Sequence, residues 1–207
     1  MIDNLCTHSS YSRKLLLESK MMYDRTTIEK SYSVLKEFYK VVENNEDKNV
    51  VQTLQFKLCN LKDINNTISR LASSAVIDDI ELFEVKNLAL LSADVKNILE
   101  KLNLDKVIEI PVLEDVVKIL DPDGLRIATF YIYDSYSEEL TSLRRSLKGK
   151  DFCQEEIYNK VSDIEDEIRT RLSEELKPYA SLLCKTLNVM ADVDLNLAKA
   201  LQIKEMR

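Results

Sequence analysis

The residues of this sequence able to do chemistry are four cysteines, one histidine, a carboxylate series, a basic cluster and an aromatic run. Cys6, Cys59, Cys153 and Cys184 are scattered, form no C-x-x-C pair, and share the chain with a single histidine, His8. A zinc site needs thiolate and imidazole ligands at close spacing, so no metal is expected and the thiols read as reduced. Cys153 follows Lys150, whose charge would favour a thiolate, but no base stands near it in sequence and an inert thiol is expected. Asp163, Glu165, Asp166, Glu167, Glu174 and Glu175 supply carboxylates of the kind that bridge two irons in helical bundles. That chemistry needs Glu-x-x-His pairs on facing helices, which His8 alone cannot provide; a solvated helix face is expected instead.

Arg144, Arg145, Lys148 and Lys150 form the one dense basic cluster, and they are the candidate contacts to DNA phosphates, contacts that weaken steeply with salt. Their competing role is to complement the dipole at a helix end, since Asp151, Glu155 and Glu156 follow at once. Phe130, Tyr131 and Tyr133 have faces on which bases stack, though aromatic runs more often fill a core layer. The only glycines are Gly124 and Gly149. A phosphate loop of the form G-x-x-x-x-G-K-[ST] is therefore absent. No nucleophile–base pair or metal cluster stands out, so neither catalysis nor a cofactor is expected of this chain.

These residues must be positioned by helices. The chain has 207 residues, 45% hydrophobic and 31% charged, which suits a packed domain rather than disorder. Only 2 Gly and 3 Pro leave little chemistry for tight turns, which argues against sandwiches and barrels. A formal net charge of −7 excludes a general electrostatic attraction to nucleic acid, leaving only a local patch for that task. No apolar run approaches the ~20 residues needed to cross a bilayer, and no signal-peptide core is visible. A cytoplasmic location without membrane contact is expected.

Apolar residues stepping by three and four mark the helices. Thr26 and Glu29 suggest a capping box ahead of Ile28, Tyr32, Leu35, Tyr39 and Val42. Val51 to Leu71 covers one or two further helices, with a joint near Asn60, and Tyr11 to Tyr23 suggests an amphipathic helix before these. Asp78 with Glu81 is a second capping box, opening a helix that runs to about Leu102. Residues 105 to 120 suggest a shorter helix. Asp121-Pro122-Asp123-Gly124 is a turn signal, and the β-branched and aromatic residues after it predict a short extended segment or hairpin near 125–133. Ser135 with Glu138 caps a helix to about Lys148, Gly149 ends it, and Asp151 with Gln154 starts the next. From Ile157 the stepping continues to Leu201, about 45 residues or roughly 65 Å of helix. Pro178 must divide or kink it. The expected fold is all-α: an elongated bundle with two long antiparallel helices and at most a short extended segment.

The order of these segments resembles the core, or lever, region of the MutS family of DNA mismatch repair ATPases, over roughly residues 24–207. Thr27-Ile28-Glu29 through Val42-Glu43-Asn44 is similar to the helix after the family's I-x-x-R-x-x-x-V motif. Leu61-Lys62-Asp63-Ile64 through Ser69-Arg70-Leu71 is similar to its x-D-L-x-R-x-x-x-R-L segment. The most specific stretch runs from Tyr133 through Asp134-Ser135-Tyr136-Ser137-Glu138-Glu139-Leu140 to Arg144 and resembles the helix start G-Y-x-x-E-L-D-x-L-R. Leu187 through Asp192-Val193-Asp194-Leu195-Asn196-Leu197-Ala198 resembles the L-D-V-L-x-S-L-A segment that precedes the family's ATPase.

The resemblance implies a non-catalytic lever that couples an ATPase at one end to a DNA-holding clamp at the other. It implies a MutS-type ATPase domain, following in the chain or acting in trans, and DNA held through the larger assembly. It also implies an N-terminal extension over 1–23, helical in part, and a clamp reduced to a tip near 148–152. The long C-terminal stripe reads either as internal core or as the seam of a homodimer; internal packing is expected for most of it, with the distal half available to a partner. Several family features are missing: the mismatch-reading Phe-x-Glu segment, the phosphate loop, and the glycine before Y-x-x-E-L, which is Ser135 here. Loss of the clamp leaves recombination control as an alternative to mismatch repair. A helical protein–protein interaction scaffold with no repair role is the reading from a different class.

Overall fold

The computed structural model describes residues 5–147 and 154–206. Its elements are α1 (Ser10–Glu18), α2 (Arg25–Glu43), α3 (Lys48–Leu58), α4 (Asn65–Ala72), α5 (Asp79–Lys101), α6 (Glu114–Leu120), α7 (Glu138–Leu147), α8 (Gln154–Leu176) and α9 (Ala180–Glu205). The fold is all-helical, with no strand among the described residues. No helix among them is long and apolar enough to cross a membrane. The tip expected at 148–152, with Lys148, Gly149, Lys150, Asp151 and the neighbouring Cys153, lies outside the described residues.

Helix starts follow the strongest available cap. The Asp78–Glu81 box forms in both directions, with Glu81 N–H donating to Asp78 Oδ1 at 2.9 Å and Asp78 N–H to Glu81 Oε2 at 3.0 Å. The Thr26–Glu29 box does not form. Asp24 caps α2 instead, accepting from Thr27 N–H at 2.8 Å and from both threonine hydroxyls, while Glu29 turns to Arg25. A carboxylate at the amino end of a helix gains from the dipole as well as from the hydrogen bonds. These bonds hold Asp24 down at about 2, the Thr26 hydroxyl contributing most. The start of α7 also moves, with Ser137 rather than Ser135 offering its hydroxyl to Leu140 N–H at 3.3 Å.

Helix ends solve the shortage of glycine with other residues. Ser74 and Asn103 take φ of 63° and 55° after α4 and α5. Each closes its helix with the same pair of bonds: Ala75 N–H to Arg70 O with Ser74 N–H to Leu71 O, and Leu104 N–H to Leu99 O with Asn103 N–H to Glu100 O. The helix expected over 105–120 is therefore confined to Glu114–Leu120. Pro111 restricts the residue before it to extended conformations and keeps the preceding turns from joining α6. Pro178 acts as expected: a single 3₁₀ turn, Lys177–Tyr179, separates α8 from α9.

The chain forms two compact units. The first comprises Met1–Asp63, Leu91–Val112 and Cys184–Arg207, and the second Ile64–Leu90 and Leu113–Leu183. In the first, α2 packs on α3, and Phe38, Leu54, Leu58, Val95, Leu187 and Met190 are buried. In the second, α4, α6 and α7 pack on α8, around Leu71, Leu82, Val116, Leu140, Leu172 and Leu176. The α7–α8 pairing is antiparallel, because Tyr136 just ahead of α7 meets Arg171 while Arg144 near the end of α7 meets Glu165. The stretch over 125–133 stays irregular. Its strand-like composition finds no second strand in the unit, and its aromatic rings gather around Tyr133 instead.

Candidate functional site

Of the four basic candidates, Arg144 and Arg145 are described, and neighbouring positions on one helical turn give them opposite surroundings. Arg144 donates to Ile132 O and Glu165 Oε1, each at 2.8 Å, and to an oxygen of Asp134. Burial works against its charge, but Glu165 and Asp134 outweigh it and raise its pKa. The guanidinium is thus engaged inside the molecule and ties α7 to α8. Arg145 is exposed. It makes no ion pair with a described residue. Lys148 and Lys150 lie outside the described residues.

Of the carboxylate series, Asp163, Glu167 and Glu174 lie on an exposed helix face, while Glu165, Asp166 and Glu175 meet arginines. Glu165 also approaches Arg169 at 3.6 Å, and Arg169 donates to Asp166 Oδ1 at 2.7 Å. Across to the start of α5, Arg169 grips Asp79 with two bonds of 2.7 and 3.1 Å. Asp79 is the largest cause of an Arg169 pKa raised above its ordinary value. A two-bond grip of this kind fixes orientation as well as distance. The residues Asp134, Arg144, Glu165, Arg169, Asp166 and Asp79 form one connected chain of charge along the hairpin. No group of His, Cys, Asp and Glu suited to a metal occurs among the described residues.

Beneath this surface lies a polar group that the helical periodicity hides. Lys86 of α5 is wholly buried; its Nζ lies 3.0 Å from Asp121 Oδ1 and donates to the Tyr133 hydroxyl at 2.9 Å. The same ammonium sits 5.2 Å from the centre of the Tyr133 ring. Asp121, which follows α6, also accepts Arg126 N–H at 2.6 Å. Burial pushes the Asp121 carboxyl upward, yet the Arg126 and Lys86 hydrogen bonds outweigh it and leave its pKa lowered. Lysine, tyrosine and carboxylate together can shuttle protons, but both charged side chains are sealed from solvent. The trio ties α5, α6 and the aromatic stretch together. Lys86 stands four residues after Leu82 and next to Val85, a charged residue on an apolar stripe, and that mismatch was the readable signal.

The first unit holds a comparable anchor. Asp194, buried on α9, accepts His8 N–H at 3.0 Å and Ser9 N–H at 2.8 Å, and meets His8 Nδ1 at 2.8 Å. The other ring nitrogen of His8 lies 3.0 Å from Gln55 Nε2 of α3. Tyr11 adds a hydroxyl bond of 2.6 Å to Asn188. His8, which carried no role in the sequence, therefore pins α1 to α9. Every buried side-chain nitrogen and oxygen among the described residues has a hydrogen-bond partner. The buried polar groups of both units are thus spent on holding helices together.

The sequence matches no protein-family model and no curated protein.

Proposed function

We propose that the chain is the non-catalytic core and lever module of a MutS-like DNA repair ATPase, coupling a MutS-type ATPase domain to DNA. One observation carries this reading: the segment with the most specific resemblance, Tyr133–Arg144, is also tied to its neighbours by buried and charge-assisted hydrogen bonds. Tyr133 holds Lys86 from below, and Arg144 holds Asp134 and Glu165 from above. A helix pair that transmits displacement must keep its angle under load, and charge-assisted bonds on short lever arms resist shear better than apolar contacts, which slide. In this reading DNA is held mainly by the rest of the assembly, with Arg145 as the local contact, and the location is cytoplasmic.

The helical interaction scaffold remains the reading from another class, favoured by an apolar cleft in the first unit. The coding sequence after Arg207 and its genomic neighbours separate the two. A MutS-type ATPase found there, whose ATP turnover on duplex DNA changes when this chain is added, supports the lever; its absence removes it. The isolated chain is expected to hydrolyse no ATP, and turnover by clean protein overturns the proposal. Titration of labelled duplex at low salt tests the local contact, which requires weaker binding by Arg145→Glu.

A further inference from the structure

The first half of α2 presents an apolar face that the described residues of its unit cover only in part. The 19-residue helix buries only Phe38 and Val42, both in its second half. Ile28 and Leu35 are half-buried and Tyr32 is exposed at 69%. They line one wall of a cleft of about 850 Å³. The opposite wall is α9, through Val189, Asp192, Asn196 and Lys199, and Val107 with Ile108 closes one side.

The spacing of both walls is that of helix packing. Positions 189, 192, 196 and 199 step by three and four along one stripe of α9, spanning about 15 Å at 1.5 Å per residue. Ile28, Ser31 and Leu35 do the same on α2 over about 10 Å. Two helices presenting such stripes to one gap leave room for a third, of about three turns. Met21 and Tyr23, at 76% and 87% exposure, extend apolar surface beside Met22, which lines the cleft. Methionine and tyrosine of this kind are frequent where proteins bind each other.

Charge selects the occupant. The cleft carries Lys30, Glu109, Asp192 and Lys199. The lysines have long stems that keep their ammonium groups in water while the cleft fills. Asp192 sits on a short stem in the wall, and its carboxylate makes no hydrogen bond to any described residue. It is exposed in the free chain, although partial desolvation by the walls raises its pKa, with Lys199 pulling the other way. A purely apolar occupant would strip its remaining water without return, which is costly for a carboxylate.

We infer that this cleft docks an amphipathic helix of about three turns from a partner protein, apolar on the buried face and carrying a lysine or arginine opposite Asp192. The inference does not depend on the lever reading. The probe is a labelled alanine-based helical peptide of about 12 residues with leucines at three-and-four spacing and one central lysine, followed by fluorescence anisotropy. Saturable binding is expected, weakened about tenfold or more when the lysine becomes glutamate, with the preference reversed in Asp192→Lys. Leu35→Asp, or Ile28→Asp if that variant folds poorly, abolishes binding of both peptides while helical circular dichroism is kept. Equal affinity for the two peptides, no saturable binding, or an Asp192→Lys variant with unchanged preference overturns the proposal. So does self-association of the wild-type chain that Leu35→Asp abolishes, because a second copy would then be the occupant.

Discussion

Lys86 Nζ and Asp121 Oδ1 stand 3.0 Å apart with both side chains closed to solvent, and the Tyr133 hydroxyl completes the ammonium's surroundings. Forming such a pair gives little net stability, because two charges must first lose their water. Breaking it is another matter, since the remaining charge stays buried without its partner. Lys86→Met is therefore expected to destabilise the fold by about 3–5 kcal/mol. Adding Asp121→Asn should return part of that loss, because the neutral amide no longer needs a cation. Urea unfolding followed by circular dichroism measures both. A single-variant loss below about 1 kcal/mol, or a double variant worse than the single, would show that the pair is not what holds α5 to α6.

Asp194 provides a pH test. Burial alone would raise its pKa, but the hydrogen bonds from His8, Ser12 and Ser9 outweigh it and leave the folded-state value lowered. A carboxyl with a lowered folded-state pKa adds stability that is fully present above its unfolded value, about 3.9, and is lost as pH falls through the folded value. Asp194→Asn should thus be clearly less stable than wild type near neutrality, and the gap should close below about pH 4. Urea midpoints across that range provide the measurement. A gap that stays constant with pH would mean that the carboxylate's charge is not what anchors the N-terminal segment.

The periodic part of this fold was readable because long helices repeat their signal. The stripe from Ile157 to Leu201, its break at Pro178 and the Asp78–Glu81 box all stand where spacing puts them. What escaped were choices made between near neighbours or by distant partners. Asp24 outcompetes Thr26 as a cap by carrying a charge, and Asn103 ends α5 in a conformation usually left to glycine. The stretch over 125–133 has strand composition but no strand to pair with, a fact that depends on the rest of the chain. The basic cluster looked uniform in sequence. Folding divides it, because Arg144 faces α8 and Arg145 faces water.

That division gives a third prediction. Arg144→Ala removes the Glu165 contact that joins α7 to α8, and the Asp134 and Ile132 carbonyl contacts that hold the segment ahead of α7, so it is expected to cost about 1 kcal/mol, discounted for partial exposure. Arg145→Ala should change stability by less than about 0.5 kcal/mol. Equal losses in the two variants, measured by thermal unfolding, would show that the hairpin does not rest on Arg144. The contrast also fixes how DNA binding must be tested. Charge reversal at Arg144 disturbs the hairpin whatever it does to DNA, whereas reversal at Arg145 changes surface charge alone.

Gly124 closes the turn that follows Asp121 and returns Arg126 N–H to its carboxylate. Its N–H donates to Asp121 O at 2.9 Å and its φ is +66°, in the left-handed region that side chains avoid. A Cβ placed there would meet nothing within 4 Å, so space imposes no penalty on a larger residue. Any loss in Gly124→Ala must come from the backbone, about 1–2 kcal/mol for holding an alanine left-handed. Gly124→Asn should lose less, since asparagine tolerates this region. The ordering glycine, asparagine, alanine in urea midpoint is the expected result. Alanine at least as stable as glycine would mean that the turn relaxes without disturbing Asp121, and that the buried trio does not depend on how the chain leaves α6.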